Sequence, residues 1–208
     1  METDTMTKNN KTTMHIAVFC GATLPSNQEY IHAAKQLGQL IAQGGHTLLY
    51  GGSNLGLMGT VSSAVLEGGG RVVGVIPSFF TEEIILSQPV TELVRVASMA
   101  ERKEYLIAHS DAFVALPGGI GTLDEMFEVL VANQLGLCSK PMGLLNTLGF
   151  FSPQYDMLRH MEQEGFYNLK NANYLILDSQ PESLLKSLAD FKPDPTKGPV
   201  ARRLRSKS

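Results

Sequence analysis

Short apolar runs and longer amphipathic stretches alternate along almost the whole chain. Residues 14–20 (MHIAVFC) form a continuous apolar run that stops at Gly21, the pattern of a strand buried on both faces of a parallel sheet. Residues 26–29 (SNQE) have the spacing of a capping box. Tyr30, Ala33, Ala34, Leu37, Leu40 and Ile41 then recur at helical spacing up to Gly44-Gly45. The cycle repeats with a strand at 46–50, a helix from about 56 to the glycine stop at 68–70, and a strand at 71–76. Residues 78–89 read as an irregular loop and 93–96 as a fourth strand. A second capping-box spacing at 98–101 (SMAE) opens a helix to about 108. Strands at 111–116, 141–145 and 174–177 and helices to about 135, at 153–164 and at 181–189 complete the series.

This alternation predicts an α/β fold: a doubly wound, mostly parallel, Rossmann-like sheet of about seven strands with flanking helices and right-handed crossovers. Such sheets bind ligands beyond the carboxyl ends of their strands. The two glycine-rich loops, after the second and fifth predicted strands, fall on that edge. No internal repeat or linker interrupts the pattern. Residues 14–191 are therefore expected to form one domain, between a flexible N-terminal tail at 1–13 and a flexible basic tail at 192–208.

Composition narrows the classes. The chain has 208 residues, 43% of them apolar and 18% charged, as in soluble globular domains large enough for a full core. A net charge of −3 gives no overall pull towards nucleic acid or membrane. The first residues carry no apolar signal region, and no apolar run is long enough to span a bilayer. With two cysteines, Cys20 and Cys138, a reducing cytoplasm is the simplest expectation. Cys20 stands beside a candidate site but reads first as a small buried residue. Lys197, Arg202, Arg203, Arg205 and Lys207 make the last residues basic. A solvated tail accounts for them, a weak nucleic-acid contact being the other reading.

The segment 116–125 (LPGGIGTLDE) carries the most chemistry. A strand runs through Gly118, Gly119 and Gly121 into a helix, so backbone amides approach a ligand closely and the helix N-terminus offers unpaired N–H groups. Together these make a phosphate cradle. No Lys-Ser or Lys-Thr follows, so it is not a Walker A loop. Asp124 stands where the third glycine of a dinucleotide fingerprint belongs. A tight turn without a ligand is the alternative. Glu125 either bonds back to Thr122 as a capping box or faces a sugar, where a carboxylate stabilises an oxocarbenium-like state or activates water.

Arg102 and Lys103 lie in the first turns after Ser98, where cations oppose the helix dipole by ~0.3–1 kcal/mol each. Either Glu101 and Glu104 offset two solvated charges, or an anionic substrate compensates them, Arg102 as a bidentate clamp and Lys103 as a point charge. The loop 51–59 (GGSNLGLMG) either lines the same pocket through Gly51 and Gly52 or packs a helix closely on a strand. Glu82 and Glu83 read as loop carboxylates, solvated by default. His15, His32, His46, His109 and His160 show no metal-ligand spacing, and no G-x-S-x-G elbow is present.

The motifs PGGIGTLDE (117–125), ERK (101–103) after Met99, SDAF (110–113), YGGSNLGLMG (50–59), VFCG (18–21), GVIP (74–77) and KPMGLLN (140–146) resemble those of the LONELY GUY family of cytokinin-activating phosphoribohydrolases. The resemblance spans residues 16–166, and the pairing of an Arg-Lys step with PGGxGTxxE is its specific part. It implies hydrolysis of N6-substituted adenosine 5′-monophosphates, and of AMP, to free base and ribose 5-phosphate. It implies no cofactor, no metal, and a homodimer with sites completed across the interface. By motif, Arg102 and Glu125 would be catalytic, and Gly118, Gly119, Gly121 and Thr122 would hold phosphate. Met99, Lys103, Ile120 and Asp124 would contact substrate, as would Glu83 more weakly. Ala100, Ala22-Thr23 and Ile120 depart from the residues usual in the family. These departures bear on the base side rather than on the phosphate and ribose chemistry. A molybdenum-cofactor carrier of the same fold is the alternative function. Lysine decarboxylation, a label also given to this family, needs a Schiff-base lysine for pyridoxal phosphate, and neither Lys103 nor Lys140 has that context.

Overall fold

A computed structural model describes residues 13–80, 90–167 and 174–193. The expectations for Glu82 and Glu83, and those for most of both tails, lie outside the described residues.

Seven strands form one fully parallel sheet: β1 (His15–Phe19), β2 (Thr47–Tyr50), β3 (Arg71–Pro77), β4 (Glu92–Val96), β5 (Ala112–Ala115), β6 (Met142–Leu145) and β7 (Leu175–Asp178). Their order is β4-β3-β2-β1-β5-β6-β7. The chain thus builds outwards from β1 in one direction, returns, and builds outwards again from β5. Ile16 pairs with Leu48 on one side and with Ala112 on the other. The strands were legible as apolar runs because both faces are covered: β1, β2, β5 and β6 are buried almost throughout.

Alternate residues feed two cores. Ile16 and Val18 join α1 (Gln28–Gln43), α2 (Gly56–Glu67) and α6 (Pro181–Ala189). Ala17 and Phe19 join α3 (Met99–His109), α4 (Ile120–Leu135) and α5 (Ser152–Gln163) on the opposite face. Helices on the two faces follow the two winding directions, as right-handed crossovers require. A short 3-10 turn, Thr147–Gly149, precedes α5 and holds Leu148 at φ 53°, the one non-glycine residue with positive φ among those described.

Two local expectations are corrected. Asn27, not Ser26, caps α1, its Oδ1 accepting from the Glu29 N–H at 3.0 Å. Helix α4 begins at Ile120 with Gly119 as its cap, so Thr122 is already helical and no Thr122–Glu125 box forms. Ser98 does cap α3, its Oγ accepting from the Glu101 N–H at 3.1 Å, while Glu101 reaches back one residue beyond the cap and accepts from the Ala97 N–H at 2.8 Å.

Candidate active site

The reversal of winding leaves β1 and β5 side by side with helices leaving on opposite faces, which opens a crevice beyond their carboxyl ends. A cleft of about 580 Å³ lies there. The loop 21–25 after β1 forms one wall and the loop 117–121 after β5 the other. The Gly21 N–H donates to the Pro117 carbonyl at 3.2 Å and pins the two together.

The loop after β5 has a packed end and an open end. A Cβ on Gly118 would overlap Thr122 Oγ1 and lie 2.7 Å from the Gly21 nitrogen. On Gly119 or Gly121 it would meet no described atom within 4 Å. No side chain caps the first turn of α4. The Thr122 and Leu123 N–H groups donate to the Gly119 carbonyl at 3.1 and 3.2 Å, so it is the N–H groups ahead of them, with the positive end of the helix dipole, that the turn presents to the cleft. That is the geometry of an anion cradle.

One turn further on, Glu125 turns inwards. Its Oε1 accepts from Arg102 Nη2 at 2.9 Å, and the two side chains are only 11% and 12% exposed. The capping of α3 by Ser98 fixes where Arg102 emerges. At the other end of α3, Lys140 Nζ donates to the Ile107 and Ala108 carbonyls at 2.7 and 3.1 Å. Burial pushes the Glu125 carboxyl up to about 6; Arg102 and Lys103 pull it down and Asp124 raises it. The Cys20 thiol, in the cleft wall, is pushed far up, chiefly by burial and then by Glu125. It is a poor nucleophile in that state.

The predicted site residues separate into groups. Met99, Arg102, Gly118, Gly119, Gly121, Thr122, Asp124 and Glu125 line the cleft together. Lys103 does not: its Nζ donates to Asp124 and Glu128 at 3.1 and 2.9 Å, bracing α3 against α4. The two cations opposed to the α3 dipole are thus compensated by acids of α4, not by Glu101 and Glu104. Ile120 is 82% exposed, outside the cleft lining. Gly51 and Gly52 lie behind the cleft, against Arg102 and Ile76 respectively. Sequence reasoning reached Ala22-Thr23 only through the family resemblance and missed Leu24, Pro25 and the aromatic corner of Tyr30 and Phe150, which meet edge to face at 6.0 Å in the cleft wall. The strand order would have pointed to the loop 21–25, since the loop after β1 is half of any switch-point crevice.

Among the described residues no group of three His, Cys, Asp or Glu side chains is arranged to hold a metal ion, and no helix is long and apolar enough to cross a membrane. Lys140 is committed to the end of α3 and Lys103 to two carboxylates, its ammonium held in the charged form first by Glu128. Neither lysine lines the cleft, so these residues do not fit a pyridoxal phosphate Schiff base.

Fold and cleft together define a class: a doubly wound α/β protein with an anion-ready glycine loop and a buried acid–guanidinium pair at its topological switch point. The family model described as "possible lysine decarboxylase" matches residues 58–188. The cytokinin riboside 5′-monophosphate phosphoribohydrolase LOG1 of Arabidopsis thaliana is 39% identical over 178 residues, covering 86% of this chain and 84% of that protein. The enzyme of the same name numbered LOG4, also from Arabidopsis thaliana, is 38% identical over 193 residues, 93% of this chain and 90% of its own. Among solved structures, a molybdenum cofactor binding protein from Rippkaea orientalis superposes with a TM-score of 0.61 at 30% identity, covering 85% of this chain and 97% of that one. The chain belongs to the LONELY GUY family of phosphoribohydrolases.

Proposed function

We propose that this protein hydrolyses the N-glycosidic bond of adenosine 5′-monophosphates, plain or N6-substituted, releasing free base and ribose 5-phosphate. The observation that carries the proposal is the 2.9 Å pair of Glu125 and Arg102, buried one helical turn beyond an open glycine cradle. Enzymes named for this reaction, 38% and 39% identical over most of the chain, support it.

The 5′-phosphate sits on the N–H groups around Gly119 and Gly121, with Thr122 beside it and the α4 dipole behind it. That fixes the ribose over Glu125. The C1′–N9 bond breaks with its electron pair leaving on the base, and C1′ takes on oxocarbenium character. Water bonds to C1′, and the proton it loses ends on the base. Glu125, ionised above about pH 6, stabilises the cationic carbon and draws the proton from water. Arg102 holds the carboxylate in place and offers its guanidinium to the anionic substrate. Tyr30 and Phe150 face the base side of the cleft.

Residues 14–191 form the nucleotide-binding domain in this reading. The buried free thiols Cys20 and Cys138 support a cytoplasmic setting. Val131, Leu135 and Leu137, all at least 49% exposed on and just beyond α4, support a homodimer seated against the helix that carries Glu125. The test is incubation with AMP and with isopentenyladenosine monophosphate, free base being read by chromatography. Absence of base release from both at micromolar enzyme would refute the proposal. The molybdenum cofactor binding protein at 30% identity favours a second reading, a non-catalytic carrier. It requires a pterin retained through purification and no turnover, which mass spectrometry of the denatured protein distinguishes.

A further inference from the structure

Arg102 needs a seat before it can meet Glu125. The nitrogen that donates to Glu125, Nη2, lies where a Cβ on Gly51 would stand, and that Cβ would also be 2.9 Å from Arg102 Cζ and 3.3 Å from Met58 Sδ. Around the rest of the guanidinium, Nη1 reaches Met99 Sδ at 3.6 Å, and Nε is buried with no hydrogen-bond partner among the described residues. Few polar contacts therefore hold the group, and shape must do much of the positioning. The backbone does not itself demand glycine at 51. Gly52, with φ 76°, has positive φ, whereas Gly51 is not among the positive-φ glycines. What residue 51 must lack is a side chain.

We infer that Gly51 is a positioning residue, its missing side chain forming the slot in which the Arg102 guanidinium lies while paired with Glu125. The inference rests on the reading of Arg102 and Glu125 as the reactive pair, but the slot is testable without turnover. A methyl group at 51 displaces the far end of a flexible side chain rather than backbone, so the fold survives while Nη2 moves. Glu125 then loses its main cation. Burial and Asp124 continue to raise its carboxyl, Lys103 alone lowers it, and Cys20 faces it as a neutral thiol. Its titration moves upwards from about 6.

The experiment introduces Gly51→Ala into wild type and into Arg102→Ala protein. It follows the Glu125 carboxyl by carbon NMR across pH, with Glu125→Gln supplying the assignment, and measures kcat on AMP. In wild type, Gly51→Ala should raise the Glu125 titration point, leave the Tm nearly unmoved at pH 4.5, where that carboxyl is protonated in the folded chain, and lower kcat on the order of a hundredfold, the size of effect that a misplacement of about 1 Å can have. In the Arg102→Ala background the same substitution should change neither the titration nor the Tm. An unchanged titration in the single variant, or an equal shift in both backgrounds, overturns the inference. If the single variant fails to fold, the double variant must fold; its failure also overturns it. Inactive wild type would refute the hydrolase reading alone, because the titration still decides the slot.

Discussion

At 51–59 and at 118–121 a strand passes through glycines into a helix, yet the glycines face different things. Gly56, at φ 58°, would press a Cβ onto the Ala22 backbone, and a Cβ on Gly59 would overlap the Asn54 carbonyl oxygen. Gly51 abuts the guanidinium of Arg102. In that loop the lost side chains make room for the protein itself. Above Gly119 and Gly121 there is open cleft, so the lost side chains there make room for something the protein does not supply. A glycine-rich strand–helix turn is thus two devices with one spelling. What separates them is whether the space above each α-carbon is filled.

The largest effect should come from the open loop's helix. Glu125→Gln keeps the shape and a hydrogen-bond acceptor for Arg102 but removes the charge. We expect kcat on AMP to fall by about a thousandfold, within the range for losing a general base or charge stabiliser, with KM changed much less. A variant retaining more than a tenth of wild-type kcat would remove Glu125 from the reaction.

At Gly59, packed against backbone, the expected loss is of stability. Gly59→Ala gains helix propensity worth up to about 1 kcal/mol but drives a methyl into a backbone carbonyl that cannot rotate away. Overpacking should win, at a net cost of about 3 kcal/mol read from urea midpoints. The folded fraction should keep wild-type kcat. A stable Gly59→Ala variant with impaired turnover would reverse the assignment of Gly59.

Gly119→Ala should do the opposite. Its backbone, at φ −87° and ψ −159°, suits alanine, and nothing described lies in the way. The methyl would hold a phosphate off the amides. Loss of roughly one charge-assisted hydrogen bond, about 2 kcal/mol, should raise KM for AMP about thirtyfold and leave the Tm unmoved. An unchanged KM would move the phosphate elsewhere.

Much of this was readable in advance. The five inner strands were legible because parallel strands covered on both faces are apolar runs closed by glycine, proline or a cap, and the half-buried edge strands β4 and β7 still read as shorter apolar runs. The pairing of Arg102 with Glu125 was not, because it joins helices α3 and α4, 23 residues apart in sequence, and only packing brings them to 2.9 Å. Lys103 shows the same limit. Its position in the chain predicts a cation at the wrong end of a helix, but not that Asp124 and Glu128 answer it. Nor does any local rule assign the loop 21–25 or Phe150 to the cleft, since that depends on β1 lying between β2 and β5 and on the turn after β6 reaching α1.

The smallest effect separates function from stability at one atom group. Burial raises Glu125 from an ordinary 4.5 to about 6, so ionising it is harder in the folded than in the unfolded chain. For an acid whose pKa is raised, the folded state binds the proton more tightly. Its contribution to stability is present below about pH 4.5 and is lost as the pH rises through about 6. The loss is at most about 2 kcal/mol, because a tenfold change in proton affinity corresponds to about 1.4 kcal/mol. Glu125→Gln is neutral at every pH and cannot show it. Urea midpoints for wild type and variant should therefore differ little at pH 4.5, with the variant gaining by up to that amount at pH 7.5. Over the same window kcat/KM of the wild type should rise with pH along a limb centred near 6, as the carboxylate forms in the free enzyme. A carboxylate that destabilises the fold in the range where it speeds the reaction belongs with the open loop and its ligand. If the variant is no more stable than wild type at pH 7.5, the charge is fully compensated by Arg102, and Glu125 would instead resemble the packed loop.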